Sequence, residues 1–481
     1  YSLECHESYS GSLSDWSRVW PGWVQSLPGS GVDNSIGIGG FDKRSLLIVT
    51  VSVYIVLVLF INSYDYEVFK NWFSLYNDYG LTSIYHEWPV YGSEYRVVYP
   101  PLSPATFIVS YKIAHTLSLE GLLGVVLERI TVKLPMIAVI IVYAYFIKRL
   151  YGDSAGWLIL LGPPVLLVVA AYDFEPFMML SILLSLYLLS KGNPYGAGLF
   201  AAIATLYKPV AFVIFIYTAL VIVRRSIRLL LRYTSVYVAI LGLVLAPFIH
   251  ASGLNSIVDS IVFYHTNRPF QGPSLFSILQ LSEVLDLKSP LSIPSLVMLL
   301  LIVAASLLLA IRSHGVEDLD YHMAASGLLL SLIPLFGSIV NPVYFYWSYV
   351  LIIPIALKYG EGVRIYAITG LLLIVVGLWY SIPMTISMVL DKPYYDEELQ
   401  RYIKPEQVDE IINESIGIIS PVDEDPITRS QSIVRLLASM AMHKALLRLI
   451  LSTAYMGLSV ILIYKLITIT TRIAGPHRTV S

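Results

Sequence analysis

What limits this chain most is its succession of apolar runs separated by short breaks, a pattern that suits membrane-crossing helices and little else. Such runs fall near 45–61, 104–117, 119–131, 134–148, 155–171, 176–190, 196–207, 209–223, 233–250, 291–311, 323–340, 344–358, 364–384 and 445–470. Several are shorter than the ~20 residues a perpendicular helix needs, so the expected fold is all-α, a polytopic transmembrane helical protein of about 11–14 spans. Short or broken helices are tolerated at membrane depth only where protein or a water-filled cavity satisfies their backbone, which predicts a cavity on one side. Of the 481 residues, 56% are hydrophobic and 13% charged, against about 25% charged in soluble domains. The lipid bilayer is therefore the first expected partner, and a net charge of −2 speaks against nucleic acid. Cys5 is the single cysteine, which excludes an internal disulfide and a cysteine-built metal site. Tyrosines outnumber phenylalanines 35 to 17, and many of them are expected at membrane interfaces.

The chain divides into a polar N-terminal segment, 1–40, a transmembrane catalytic domain, 41–390, a small outer-face segment, 391–440, and a C-terminal transmembrane helix with its tail, 441–481. Residues 1–40 show neither a basic n-region nor an apolar h-region, so they are not read as a signal peptide but as a poorly ordered segment. Pro393, Pro405, Pro421 and Pro426 break the acidic stretch 391–432, which also holds the sequon Asn413-Glu414-Ser415. With Lys43 and Arg44 cytoplasmic, alternate turns put Lys148, Arg149, Lys191, Arg224, Arg225, Arg228, Arg232, Arg312, Lys358, Arg364 and Arg472 on that same side. The opposite, outer face receives the 62–106 loop, Asp173, Glu175, Lys208 and the 251–289 loop. This alternation requires 104–131 to be a hairpin of two short spans.

The long first outer loop is too long for a mere connector and carries Asp65, Glu67, Asp78, Glu87 and Glu94. Within it Val68, Phe69, Trp72, Phe73 and Tyr76 recur at three- and four-residue spacing, which predicts an amphipathic helix along the membrane surface. Asp65 stands at its start and serves either as a helix cap or as a catalytic base; Glu67 either complements the helix dipole or shares that chemistry. Tyr99-Pro100-Pro101-Leu102 fixes an extended turn before the next run. Asp173 and Glu175 lie between two apolar runs, where acids are costly and mostly functional, though capping and snorkelling explain them too. Paired acids also suit a divalent cation. Lys208-Pro209, within an apolar stretch, reads as a span boundary whose ammonium points into the cavity. His265, Asn267 and Arg268 form a donor cluster suited to phosphate, although one Arg and one His in a loop are common. Glu128 and Arg129 read as an ion pair, and 341–347 as an interfacial aromatic belt, with stacking on a sugar ring as the sharper alternative.

In the order and sidedness of these features, from Leu46 to Met388, the chain resembles the GT-C membrane glycosyltransferases, most closely the polyprenol-phosphate-mannose-dependent mannosyltransferases and their archaeal relatives. The resemblance implies a GT-C-like fold and an enzyme that moves a sugar, mannose foremost, from a polyprenyl- or dolichyl-phosphate donor to a glycan, lipid or protein acceptor, with inversion. It implies a multi-pass protein of the cell membrane with its active site on the outer face. It carries the catalytic base over to Asp65 and fills the second acidic position with Glu67. Arg268, Lys208 and His265 then hold the donor phosphate, and Asp173, Glu175, Tyr99 and Trp72 line the substrate. No metal or other cofactor is expected, since lipid-monophosphate donors in this group generally work without one. A multi-pass transporter or lipid flippase with a polar outer cavity is the alternative, a metal-dependent oligosaccharyltransferase and a non-catalytic scaffold being further rivals.

Overall fold

The computed structural model describes residues 43–61, 64–86, 96–117, 121–263, 273, 293–313, 315, 317–336, 340–390 and 426–474. Segment 1–40, the loop holding His265, Asn267 and Arg268, and the sequon fall outside them. The backbone of Asp65 and Glu67 is described, but not their side chains. Among the described residues the architecture is all-helical, without a strand.

The helices are α1 (Lys43–Phe60), α2 (Tyr64–Tyr79), α3 (Leu102–Thr116), α4 (Leu122–Tyr151), α5 (Asp153–Leu160), α6 (Pro163–Ala171), α7 (Glu175–Ser190) and α8 (Pro194–Tyr207). There follow α9 (Phe212–Val223), α10 (Ile227–Ser252), α11 (Leu254–Val258), α12 (Ile293–Arg312), α13 (Leu319–Phe336), α14 (Phe345–Lys358), α15 (Gly362–Leu390) and α16 (Pro426–Ile473). Among the described residues four helices, α1, α4, α10 and the C-terminal part of α16, are long and apolar enough to cross a membrane. The pair α5 and α6, bent by 40°, makes a fifth if counted as one broken span. Six further apolar stretches are shorter.

The runs 119–131 and 134–148 are not two elements. They join in α4, 30 residues with Pro135 inside, because one proline removes one backbone bond and packed neighbours tolerate that loss. The expected hairpin over 104–131 is corrected with it. α3 lies beside α2 and runs in the same direction, since Phe107 meets Tyr66 and Phe69, and Tyr111 meets Phe73. Two parallel neighbours need a long return connection, which gives residues 80–101 a purpose. α3 packs against both α2 and α4.

The amphipathic helix is present as α2, but its apolar face is turned inward. Tyr66, Phe69, Trp72, Phe73 and Leu75 are buried, against Phe107, Tyr172 and Phe174 among others. Glu128 binds Lys70 at 3.0 Å and the Tyr66 hydroxyl at 2.9 Å, while Arg129 donates to the Leu59 carbonyl. The expected Glu128–Arg129 pair is therefore replaced by two ties from α4, one to α2 and one to the end of α1.

At the other end of the bundle Asp153 receives Lys43 at 2.7 Å and Lys148 at 2.8 Å, so the start of α1 and the end of α4 meet there. Arg225 with Glu317 and Lys358 with Asp320 add to the ionic belt.

Many tyrosines expected at interfaces are interior instead. Pro354 deprives the Val350 carbonyl of its helical donor, and the Tyr143 hydroxyl donates to that carbonyl at 3.0 Å. Pro164 does the same to Leu160, whose carbonyl takes the Tyr54 hydroxyl at 3.1 Å. A hydroxyl on a rigid apolar ring satisfies a backbone group that nothing else in a dry interior reaches.

Candidate functional site

Two breaks in the helical backbone lie side by side at the α2 end. The first separates α6 from α7: Gly162, Pro163 and Pro164 start α6 afresh, and it stops at Ala171 after nine residues. Tyr172 then takes φ 56°, ψ 104°, a positive φ that side chains with a Cβ rarely adopt. α7 begins at Glu175, with Pro176 in its first turn, where a missing N–H costs nothing and a carboxylate suits the dipole. The second break is Lys208, extended at φ −150°, ψ 129° between α8 and the 3₁₀ turn Pro209–Ala211. The residue before a proline is pushed out of the helical region, so Lys208-Pro209 dictates this break locally.

Lys208 brings the two breaks together. Its ammonium donates to Glu175 Oε1 and stands 3.7 Å from Asp173 Oδ1. That same Asp173 oxygen accepts the Phe174 N–H at 2.7 Å. Lys208, Asp173 and Glu175 are 5%, 3% and 0% exposed, so this is a dry triad rather than a surface ion pair. Three rings surround the ammonium, with centroids at 5.2 Å for Tyr99, 5.3 Å for Tyr344 and 5.5 Å for Trp347. A cation facing aromatic quadrupoles and carboxylates at once is held far more firmly than by either alone.

A further set of rings joins this triad to α2. Trp72 stacks on Phe174 at 6.2 Å and meets Tyr99 at 5.9 Å, while Tyr66 meets Tyr172 at 6.0 Å. The Tyr99 carbonyl accepts the Tyr85 hydroxyl at 2.5 Å, and Ser103 at the start of α3 donates to the Tyr207 carbonyl at 2.7 Å. Tyr99-Pro100-Pro101-Leu102 is thus a fixed part of the wall, not only a turn. Glu175 Oε2, the Tyr172 and Tyr346 hydroxyls and the indole N–H groups of Trp72 and Trp347 are buried without a hydrogen-bond partner among the described residues. Such groups are costly in a dry interior.

Of the residues singled out in the sequence, Asp173, Glu175, Lys208, Tyr99 and Trp72 come together. Asp65 and Glu67 belong to the first turn of α2 by their backbone, and Tyr66 between them lies in the aromatic shell. His265 and Arg268 lie outside the described residues. Lys208 does not stand open as a phosphate-binding cation: its one positive charge faces two carboxylates. The aromatic run 341–347 is not an interfacial belt, because Trp347 is buried and, with Tyr344, covers Lys208. Sequence reasoning passed over Lys133, a buried lysine within an apolar run, although a charge at such a position is itself a signal. Among the described residues no group of three His, Cys, Asp or Glu is placed to hold a metal.

No protein-family model matches the chain, and no curated protein matches it.

Proposed function

We propose that this chain is a multi-pass membrane glycosyltransferase. It transfers a sugar, mannose by the family resemblance, from a polyprenyl- or dolichyl-phosphate donor to an acceptor hydroxyl, with Lys43 on the cytoplasmic side and the reaction on the outer face. The observation that carries the reading is the aromatic wall shared by α2 and the triad. Tyr66 and Trp72 of the helix whose first turn holds Asp65 pack on Tyr172 and Phe174, the two neighbours of Asp173. A base on α2 and polar groups at two helix breaks then serve one substrate.

In the proposed reaction Asp65 takes the acceptor hydroxyl proton as its oxygen attacks the anomeric carbon, with Glu67 as the second carboxylate of that motif. The carbon–oxygen bond to phosphate breaks, and its electron pair leaves on the phosphate oxygen, already stable as an anion. Because Lys208 is committed to Glu175 and Asp173, it acts by ordering those carboxylates toward sugar hydroxyls. Holding the phosphate falls to Arg268 and His265. Tyr99 supplies a ring face for the sugar, and Trp72 supports it from behind.

The test is transfer of radiolabelled mannose from dolichyl-phosphate-mannose by the purified protein in proteoliposomes, followed into extracted lipid and glycan. Asp65→Asn should abolish transfer while the protein inserts and melts as before; normal turnover by that variant rejects the reading. The two adjoining helix breaks around a buried ion cluster also suit a transporter. In that case Asp65→Asn leaves solute uptake intact and no labelled product forms with either protein.

A further inference from the structure

The end of the bundle opposite the triad carries an imbalance of charge. Most of its carboxylates are taken by cations, Asp153 by Lys43 and Lys148, Asp320 by Lys358 with the Tyr151 hydroxyl, and Glu317 by Arg225, while Asp318 accepts the Tyr321 N–H. Arg224 spends its guanidinium on the Ala310 carbonyl. Of the cations left there without a carboxylate, three belong to the corner where α8 and α10 begin. There Lys191, Arg228 and Arg232 are exposed and have no carboxylate partner among the described residues.

The two arginines are four residues apart on α10, hence one helical turn apart on the same face. Arg232 lies over the Tyr195 ring, 5.8 Å from its centroid, and that ring is half exposed. Ring and guanidinium thus fix each other and leave the outer edge of the fork open. Leu231, between the arginines, is 63% exposed, and Val238, two turns on, is 59% exposed. Ser235, Gly242 and Ala246 continue that face, all exposed and all small, and a Cβ on Gly242 would meet nothing within 4 Å. The face is a smooth apolar track that starts at two open guanidinium groups.

We infer that this corner binds an anionic phospholipid, the headgroup phosphate held by Arg228 and Arg232 with Lys191 at the rim, and an acyl chain lying along Leu231, Val238 and Gly242. A planar fork matches phosphate oxygens in pairs, and a charged group with an apolar track directly beyond it matches a lipid better than a free anion. The inference rests on α10 lying in a bilayer and is independent of sugar transfer.

The full-length protein, reconstituted in equal parts phosphatidylglycerol and phosphatidylcholine, is extracted into mild detergent and its retained lipid counted by native mass spectrometry. Phosphatidylglycerol should be enriched roughly ten- to thirtyfold, the effect of about two favourable basic contacts. Arg228→Gln/Arg232→Gln, which alters two exposed side chains and leaves the core alone, should bring retention close to parity with an unchanged melting temperature. Equal retention of both lipids by the wild type, or undiminished enrichment in the double variant, overturns the inference. Displacement of the lipid by millimolar inorganic phosphate also overturns it, because the site would then be one for a free anion.

Discussion

Lys133 and Ala170 are joined by a 3.0 Å hydrogen bond from a buried ammonium to a backbone carbonyl. The same ammonium donates to the carbonyls of Leu57 at 3.2 Å and Ile61 at 2.7 Å. One residue of α4 therefore holds the end of α1, four residues before Asp65, to the end of α6, three residues before Asp173. Helix C-termini carry unpaired carbonyls and a partial negative charge, so a lysine there does the work of two caps. Lys133→Met keeps the length and removes the donors, leaving three carbonyls unsatisfied; a loss of about 3 kcal/mol is expected, at ~1 kcal/mol for each. Thermal unfolding in detergent measures it, and a melting temperature equal to the wild type would show that water replaces the lysine freely.

The triad should respond unequally to loss of its members. Lys208→Met leaves Asp173 and Glu175 buried together without a cation, and a cost of about 3–5 kcal/mol is expected for such an orphaned charge. Glu175→Gln keeps an oxygen for the ammonium, and Asp173 retains its partner, so about 1–2 kcal/mol is expected. Both are read from unfolding midpoints. Equal losses would mean that Lys208 is not shared between the two carboxylates.

The helices were legible in the sequence because apolar runs and proline or glycine punctuation are local signals. The pairing of Asp173 and Glu175 with Lys208 was visible only as three charges in apolar surroundings; their meeting depends on the packing of α7 against α8, which is not local. α2 shows the same limit. Its periodicity gave the helix, but periodicity cannot say whether an apolar face meets lipid or protein, and Tyr172 and Phe174 turned out to cover it. The gap between the expected runs 119–131 and 134–148 fails for a related reason: the charge at Lys133 interrupts the apolar pattern, but the helix continues through it because tertiary packing gives that ammonium its partners. The tyrosines carried no sequence signal at all, since their partners are carbonyls freed by prolines elsewhere in the chain.

Acid should loosen the last helix. Glu361, in the turn between α14 and α15, accepts from Arg364 at 3.0 Å and from Lys465 of α16 at 3.3 Å. Burial pushes its carboxyl up, but the two cations outweigh burial and hold it below its ordinary value of 4.5. A carboxyl lowered in the folded state stabilises the fold at every pH above that ordinary value, and the contribution is lost as pH falls through the lowered one. Unfolding midpoints of the wild type should therefore be level from neutral pH down to about 5 and then fall more steeply than those of Glu361→Gln. Parallel curves for the two proteins would exclude Glu361 as the group responsible.

The Tyr143 hydroxyl is a partner to a defect that Pro354 creates, and that dependence can be measured. A proline at 354 has no N–H to give the carbonyl of residue 350, and its ring keeps other backbone donors away. Tyr143 is fully buried and reaches this carbonyl from α4 at 3.0 Å. Tyr143→Phe then removes the bond and buries an unsatisfied carbonyl, at an expected cost of about 1–3 kcal/mol. In the Pro354→Ala background the alanine N–H can close the helical bond to Val350, so the carbonyl no longer needs the hydroxyl. The same Tyr143→Phe change should then cost less, by about 1 kcal/mol, and the double-variant cycle isolates that coupling from the separate effects on packing. A coupling indistinguishable from zero would show that the tyrosine does not serve the carbonyl that the proline frees, and that its burial rests on ring packing alone.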